Sequence, residues 1–317
     1  MTSMTGSATA APAGSSREAD LAFTIALAQR AGELLLARFE KVEQIDYKSA
    51  KDVVTEVDHL SEAMIIEAIR ETRPGDGIIA EESGNHVTGV GDAPTAGVGR
   101  AWVIDPLDGT INYANGIPFF CVAIALVENG RPIVGVIHDP MRSETFAATD
   151  DGPATLDGRP IHASVKESVS DYVVSMALSG RAVAGRASAV RKAIRVSRAM
   201  GSAALSLAYV GNGRFDAFVQ QSGLSSWDVA AAGLIAERGG AHLSDLAGGP
   251  WFDISRPTRT VGVLAAPAAH HAALLDLVRT LPTWPWSAPL FRGFVTAMLL
   301  PLVIWVITRI LGSALGL

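Results

Sequence analysis

The hydrophobic pattern of the first half of the chain predicts a strand, a helix and two buried strands. Residues 52–58 alternate between apolar and polar side chains, as a half-buried strand does. Residues 77–80 and 102–104 are continuous apolar runs, which are typical of buried strands, and each run is followed by acidic residues. Residues 59–70 predict a helix, because their large apolar side chains recur at helical spacing. These side chains are Leu60, Met64, Ile65 and Ile69.

The second half predicts a hairpin and then alternating strands and helices. Residues 119–128 and 131–138 are largely apolar and are joined by Asn129-Gly130, a strong two-residue hairpin signal. From residue 172 onward, strand-like and helix-like segments alternate, which predicts a sheet layered with helices.

The two ends of the chain differ from this pattern. Residues 1–16 are mostly small and polar and lack the apolar core of a signal peptide, so we expect a disordered leader. The tail, residues 282–317, contains an uncharged apolar run over residues 293–308, which predicts a hydrophobic helix. The run is close to the lower limit of about 17 residues for a membrane span. We expect membrane contact through residues 290–317 and a cytoplasmic location for the preceding domain; a helix packed on the domain or in an oligomer is the alternative.

Charge and cysteine content narrow the classes of protein. The net charge of −6 argues against a general nucleic-acid binder, which favours a basic face. Cys121 is the only cysteine, so an internal disulfide is excluded, and its apolar surroundings predict a buried structural thiol. The seven histidines show no zinc-like spacing, and we expect His270 and His271 at the surface of a helix.

The candidate chemistry is concentrated where the second buried run ends. Residues 102–113 read Trp-Val-Ile-Asp-Pro-Leu-Asp-Gly-Thr-Ile-Asn-Tyr, which brings Asp105 and Asp108 close together. Two such carboxylates repel each other unless a cation lies between them or one is protonated. Oxygen ligands without Cys or His suit a hard cation such as Mg²⁺. The N–H groups of Gly109 and Thr110 suit a phosphate at the start of a helix. The alternative is a strand that ends in an ordinary turn.

Three further segments carry acidic or hydroxyl groups. Asp58 ends the alternating strand, Glu81-Glu82-Ser83 follows the first buried run, and Asp228 follows Ser226-Trp227 before an Ala-rich helical stretch. Each has a structural alternative when it is considered alone. Asp58 and Asp228 suit helix N-caps, and the paired glutamates suit a solvated loop.

Together the four segments resemble the inositol monophosphatase family. The family pattern is Asp-x-Val-Thr-x-x-Asp, then Glu-Glu-Ser, then Asp-Pro-Ile/Leu-Asp-Gly-Thr-x-Asn-Phe/Tyr, then Trp-Asp-x-Ala-Ala. All four elements occur here in that order. The resemblance implies one catalytic domain over residues 17–281 with an α/β fold of five layers, an αβαβα sandwich, whose two halves meet near residue 170. It also implies a Mg²⁺-dependent, lithium-sensitive phosphomonoesterase that forms a homodimer.

The resemblance also implies a role for each matching residue. The ligands of two or three Mg²⁺ ions would be Glu81, Asp105, the Leu107 carbonyl, Asp108 and Asp228. Thr110 and Asp58 would orient and deprotonate the attacking water, with Glu81 as a third catalytic residue. The substrate contacts would be Asp108, Gly109, Thr110, Gly201, Ser202, Ala203, Gln221 and Asp228.

The substrate is expected to be a small phosphorylated metabolite, with inositol 1-phosphate as the first hypothesis. Gln221 lies where the family usually has a Glu that accepts hydrogen bonds from inositol hydroxyls, and a Gln has no charge and also donates. This departure leaves three alternatives open: a 3′(2′),5′-bisphosphate nucleotide, histidinol phosphate and fructose 1,6-bisphosphate. The alternative of another class is a non-catalytic, membrane-associated regulator that has kept the fold.

Overall fold

The computed structural model describes residues 16–41, 45–49, 52–86, 99–178, 184–256 and 258–279. Its helices are α1 (Arg17–Arg38), α2 (Glu56–Thr72), α3 (Thr110–Ala114), α4 (Ala184–Ala193), α5 (Ala203–Gly211), α6 (Ser226–Arg238) and α7 (Ala268–Arg279). Its strands are β1 (Ile45–Ser49), β2 (Asp52–Thr55), β3 (Gly77–Ala80), β4 (Gly84–His86), β5 (Arg100–Asp108), β6 (Cys121–Glu128), β7 (Arg131–Asp139), β8 (Glu144–Thr149), β9 (Thr155–Leu156), β10 (Arg159–Pro160), β11 (Val173–Ala177), β12 (Val196–Arg198), β13 (Ala217–Leu224), β14 (Ala241–Asp245) and β15 (Val261–Pro267).

Most of these strands belong to two sheets. The larger sheet has the order β10-β9-β8-β7-β6-β5-β3-β4, and the smaller has the order β12-β11-β13-β15-β14. In the larger sheet, β3 and β5 pair in parallel, whereas β5, β6, β7 and β8 form an antiparallel meander. In the smaller sheet, β11 pairs in parallel with β12 and β13. The chain leaves the larger sheet after β10 and enters the smaller sheet at β11.

Helices α1 and α2 cover one face of the larger sheet. Helix α1 lies against β6, β7 and β8, and α2 lies against β5. The buried Leu27 and Ile65 of these helices share one apolar core with Trp102 and Ile104 of β5. Burial of side chains of this size contributes roughly 1.5–3 kcal/mol each. This core fixes the strand whose end carries Asp105.

Helices α5 and α6 lie between the two sheets. Helix α6 contacts β6 and β7 of the larger sheet and β14 of the smaller, and α5 contacts β7 and β13. On the smaller sheet, α7 packs against β14 and β15, and α4 packs against α7. The resulting order is helix, sheet, helix, sheet, helix, in agreement with the five layers that the resemblance implies.

Helix α2 begins earlier than the sequence predicts, and α6 begins with the same kind of N-terminal hydrogen bond. Helix α2 begins at Glu56 instead of residue 59, because Thr55 is its N-cap. The carboxylate of Asp58 accepts a hydrogen bond from the Thr55 N–H at 2.8 Å, which is the reciprocal bond of a capping box. Asp228 accepts the equivalent bond from the Ser225 N–H at 2.5 Å. The structural alternative of an N-cap was therefore wrong for both aspartates, since each lies three residues inside the cap.

One histidine prediction was wrong and the cysteine prediction is confirmed. His271 is 5% exposed, although the sequence predicts a surface position, because α7 turns it towards β14. Its Nε2 lies 3.1 Å from the Ser244 hydroxyl, and burial lowers its pKa. Cys121 is fully buried, as predicted.

The predicted leader lies almost wholly, and the predicted tail helix entirely, outside the described residues. The same holds for the proposed membrane contact through residues 290–317. Among the helices of the described ranges, none combines the length and the apolar character that a bilayer crossing requires.

Candidate active site

The first part of the site is the end of strand β5. The pairing of β5 with β6 shifts register between Asp105 and Asp108, where Pro106 has no N–H to donate to the ladder. The Leu107 N–H turns back and donates to the Asp105 carboxylate at 3.1 Å, while the Leu107 side chain is buried in the core. The irregularity allows two carboxylates from one strand to reach the same cavity.

Asp228 brings a third carboxylate to this position. Asp105, Asp108 and Asp228 each offer an oxygen atom within 4.8 Å of the other two. Asp105 and Asp108 are buried, and Asp228 is partly exposed. The first turn of α6 and the end of β5 therefore form one acidic cluster, which we call the three-aspartate cluster.

Burial and mutual repulsion raise the pKa of every member of the three-aspartate cluster. The pKa of Asp105 is well above its ordinary value because of burial and of the charges of Glu81, Asp108 and Asp228. The pKa of Asp228 is well above its ordinary value because of burial and the charge of Asp108. Burial also raises the pKa of Asp108, although hydrogen bonds to its carboxylate oppose the shift. The surrounding residues therefore do not fully offset three negative charges at this position.

Glu81 joins the cluster from the turn after β3. Its N–H donates to the Ile104 carbonyl at 3.2 Å, which holds the turn beside β5. The buried Glu62 of α2 holds the next two residues, because its two carboxylate oxygens accept from the N–H groups of Glu82 and Ser83, both at 2.8 Å. The buried Glu62 therefore orders the turn that carries Glu81.

The N-terminus of α5 supports Asp108. The Ser202 hydroxyl and the Ala204 N–H both donate to Asp108 Oδ2, the latter at 2.7 Å. The Ser202 hydroxyl also accepts from the Leu205 N–H at 3.3 Å, so it is the N-cap of α5. Ser202 was predicted as a substrate contact; in the structure its hydroxyl is engaged by Asp108.

The buried Asp58 and the partly exposed Thr110 form a polar pair beside the three-aspartate cluster. The Thr110 hydroxyl lies 3.1 Å from Asp58 Oδ1 and 3.1 Å from the Leu107 carbonyl oxygen. The second oxygen of Asp58 accepts from the N–H and the hydroxyl of Thr55, at 2.8 and 2.6 Å. These contacts fix the Asp58 carboxylate and leave Oδ1 directed to Thr110.

Two glycines allow the chain to approach closely at this point. Gly109 has φ +101°, and an added Cβ would lie 3.1 Å from the Phe119 carbonyl oxygen. Gly201 has φ +86°, and its Cβ would lie 2.7 Å from the Asn112 amide. The Asn112 Nδ2 donates to the carbonyls of Phe119 and Met200 at 2.7 and 2.8 Å, which ties α3 to the loop before α5.

These residues surround two adjoining cavities. The smaller, of about 150 Å³, is lined by most of the predicted site residues: Glu81, Asp105, Leu107, Asp108, Gly109, Thr110, Gly201 and Asp228. The larger, of about 370 Å³, shares Asp108, Gly201 and Asp228 with it and is also lined by Ser202 and Ala203. A small compartment rich in carboxylates thus adjoins a roomier one.

Two predicted residues, Asp58 and Gln221, are absent from both linings, and three unpredicted residues belong to the site. Gln221 lines neither cavity, whereas its neighbour Gln220 lines the larger, because successive side chains of β13 point to opposite faces. Asn112 and Glu62 position the loops, and Arg259 lines the smaller cavity. Asn112 stands inside the quoted motif, but Glu62 and Arg259 carry no signal in the sequence.

The donor set fits a hard divalent cation. It consists of oxygen atoms alone, and carboxylate, carbonyl and water oxygens are the ligands that Mg²⁺ prefers. A cation among Asp105, Asp108 and Asp228 would offset the repulsion that raises their pKa values. The arrangement can therefore hold a metal ion.

The chain matches the family model described as "Inositol monophosphatase family" over residues 16–283. The protein named fructose-1,6-bisphosphatase/inositol-1-monophosphatase of Thermotoga maritima is 36% identical over 229 residues, which are 72% of this chain and 85% of the relative. The protein named Nus factor SuhB of Escherichia coli is 35% identical over 237 residues, or 72% of this chain and 86% of the relative.

Solved structures of similar proteins have the same fold. The extragenic suppressor protein suhB of Bartonella henselae superposes with a TM-score of 0.74 at 30% identity and covers 83% of this chain and 99% of its own. The IMPase of Thermotoga maritima gives a TM-score of 0.72 at 33% identity, with 82% and 96% covered. The chain therefore belongs to the inositol monophosphatase family.

Proposed function

We propose that the protein hydrolyses a small-molecule phosphate monoester by direct attack of water, with Mg²⁺ as cofactor. The observation that carries this proposal is the three-aspartate cluster, whose carboxylate oxygens lie within 4.8 Å of one another in a cavity that also contains Thr110. The family is metal-dependent, and the similarity to proteins named as phosphatases supports the same reaction class.

The proposed metal ligands are the acidic side chains at the small cavity and one carbonyl: Glu81, Asp105, Leu107, Asp108 and Asp228. When bound, two or three Mg²⁺ ions would supply Lewis-acid stabilisation of the phosphoryl group and lower the pKa of bound water. The protein's own contribution is to hold the carboxylates in place, through the Leu107 N–H on Asp105 and the Ser202 hydroxyl on Asp108.

Thr110 and Asp58 are proposed to orient the attacking water and to take its proton. The Thr110 hydroxyl donates towards Asp58 Oδ1, so its oxygen presents a lone pair to a water in the cavity. A proton that leaves the water at Thr110 Oγ1 has an acceptor 3.1 Å away in Asp58. The Thr55 N–H and hydroxyl stabilise the Asp58 carboxylate, and this keeps it available as the acceptor.

The two cavities suggest how an ester divides between them. We place the phosphate in the smaller cavity, where the N–H groups of Gly109 and Thr110 are proposed to bind its oxygens. The alcohol part then occupies the larger cavity, beside Ala203 and Gln220. Gln220 takes the substrate-contact role that the sequence assigns to Gln221, because it is the glutamine on the cavity side of β13.

An uncharged amide beside the alcohol suits a polyol, since it both donates to and accepts from hydroxyls. Inositol 1-phosphate is therefore the first substrate to test. The name of the Thermotoga maritima relative makes fructose 1,6-bisphosphate the second, and a 3′(2′),5′-bisphosphate nucleotide and histidinol phosphate complete the panel. The test is phosphate release from each ester with Mg²⁺, with chelator and with Li⁺ added. We expect turnover of at least one ester that needs Mg²⁺ and falls with Li⁺. Turnover of none by the folded protein would contradict the proposal.

A second candidate is a regulatory role that does not depend on catalysis. It is favoured by the relatives named Nus factor SuhB, which are as similar to this chain as the relative named as a phosphatase. The two candidates differ in what they require of Thr110. A variant Thr110→Val keeps the size of the side chain and removes the hydroxyl, so it would abolish turnover and leave a purely regulatory role intact.

A further inference from the structure

Arg259 is the one basic side chain among the described residues that line the two cavities. It stands on the wall of the smaller cavity, together with Asp228 and Gly223. Its positive charge acts on the three-aspartate cluster, because it lowers the pKa of Asp228 against the stronger effect of burial. The positively charged Arg259 thus lies at the smaller cavity, in which the phosphate is proposed to bind.

The backbone of Arg259 is pinned in an unusual conformation. Its φ is +61°, in the left-handed region that favours glycine. Its N–H donates to the Ser225 hydroxyl and its carbonyl accepts from the Gly223 N–H, both at 3.0 Å. Two hydrogen bonds to the segment that leads into α6 therefore hold a strained residue at the cavity wall. Strain of this kind persists where surrounding structure over-determines it, and it is frequent at functional sites.

The charges around the cavities decide what Arg259 can recognise. In the described part of the chain, the larger cavity is lined by no Lys or Arg, and the smaller has three aspartates and Glu81. A substrate with a second anionic group would meet only negative or neutral side chains there, except at Arg259. A guanidinium binds phosphate or carboxylate through paired N–H groups and keeps its charge at all relevant pH values.

We propose that Arg259 is a specificity-determining residue that binds a second anionic group of the substrate and so favours bisphosphates over monophosphates. The inference rests on the proposed function, since it assumes that the reacting phosphate occupies the smaller cavity. It places the second phosphate where the two cavities meet, because Gly223 and Asp228, which lie beside Arg259 on the wall of the smaller cavity, also line the larger one.

The test compares two ligands that differ by one phosphate, fructose 6-phosphate and fructose 1,6-bisphosphate. Their dissociation constants are measured calorimetrically on the full chain, with Ca²⁺ in place of Mg²⁺ to slow turnover. The variant Arg259→Gln removes the charge, and Arg259→Lys keeps it without the paired N–H geometry. Arg256→Gln is the matched control, because Arg256 lies in the same loop but binds Asp245 and the Pro250 carbonyl, away from both cavities.

We expect the wild type to bind the bisphosphate about tenfold more tightly than the monophosphate, as one charge-assisted contact predicts. Arg259→Gln should remove this preference, Arg259→Lys should keep part of it, and Arg256→Gln should keep all of it. No preference in the wild type, or an equal loss of both affinities in Arg259→Gln, would overturn the inference. Turnover of the ester panel is measured in parallel. A preference without any turnover would contradict the proposed function alone, and turnover without a preference would contradict this inference alone.

Discussion

At the scale of single residues, the dominant feature of the site is that three carboxylates lie within 4.8 Å of one another. A protein interior disfavours a charged carboxylate, and like charges nearby disfavour it further. The raised pKa values of Asp105, Asp108 and Asp228 express both effects. The cluster therefore lowers the stability of the metal-free protein, and a bound cation would offset this loss.

Replacement of Asp105 by Asn should stabilise the metal-free protein. The amide keeps an oxygen that can accept from the Leu107 N–H, and it removes one of three repelling charges. We expect a gain of about 1 kcal/mol, or roughly 2–4 °C in Tm, measured by thermal unfolding in chelator. Asp151→Asn, at an exposed loop position, is the control and should leave Tm unchanged. A lower Tm for Asp105→Asn would show that the cluster is not repulsive.

Substitution of Gly201 tests the close approach of the loop before α5 to Asn112. Gly201→Ala adds a Cβ 2.7 Å from the Asn112 amide, which must move and release the Phe119 and Met200 carbonyls. Gly158→Ala is the matched control, because Gly158 has a similar φ of +75° and open space around it. We expect denaturant unfolding to show a loss of about 1 kcal/mol for the control and a further 1–3 kcal/mol or so for Gly201→Ala. Equal losses would contradict the contact.

At the scale of elements, the site depends on how segment ends are joined. Helices α2 and α6 each begin with a capping box whose acidic member, Asp58 or Asp228, also faces the site. Ser202 is the N-cap of α5, and its hydroxyl donates to Asp108. The turn after β3 depends on Glu62 of α2. The same hydrogen bonds thus set where elements begin and where the functional side chains point.

Replacement of Glu62 by Gln should disorder the turn that carries Glu81. Glu62 accepts from two neighbouring N–H groups with two oxygens, whereas a Gln offers one oxygen and turns an NH₂ group towards the other N–H. We expect a loss of about 1–3 kcal/mol in unfolding free energy, since a buried donor is left unpaired. We also expect a roughly tenfold weaker affinity for Mg²⁺ by calorimetry.

The control for this substitution is Glu67→Gln, on the exposed face of the same helix. It should change neither the unfolding free energy nor the affinity for Mg²⁺. Unchanged Mg²⁺ affinity in folded Glu62→Gln would show that the turn does not present a metal ligand.

At the scale of the whole molecule, the two sheets and the middle helical layer bring together residues far apart in the sequence. The hydrophobic pattern was enough to predict the hairpin of β6 and β7 and the change of architecture near residue 170, because both depend on local sequence. The motifs were enough to predict which carboxylates gather at β5. The positions of Glu62 and Arg259 were beyond sequence reasoning, since each acts on residues that only the tertiary structure brings near. The sequence could not distinguish Gln220 from Gln221, because a shift of one residue in the register of β13 turns each side chain to the opposite face of the sheet.

The pH dependence of stability should report the state of the three-aspartate cluster. Because these carboxylates have raised pKa values in the folded state, that state binds more protons than the unfolded chain above the ordinary Asp pKa of about 3.9. Their contribution to stability therefore falls as pH rises towards the raised values. Mg²⁺ should raise Tm, and it should do so more at pH 8 than at pH 5, in thermal scans with and without the ion. An increase that is equal at both pH values would contradict the assignment.

The most direct test of the central claim is Mg²⁺-dependent phosphate release by the full chain and by Asp105→Asn, with both proteins shown to be folded. We expect the wild type to release phosphate from a monoester only when Mg²⁺ is present. Asp105→Asn should reduce the rate by about 100-fold or more, because it removes a proposed metal ligand. Release that persists in chelator, or that survives in Asp105→Asn, would show that the three-aspartate cluster is not the catalytic centre.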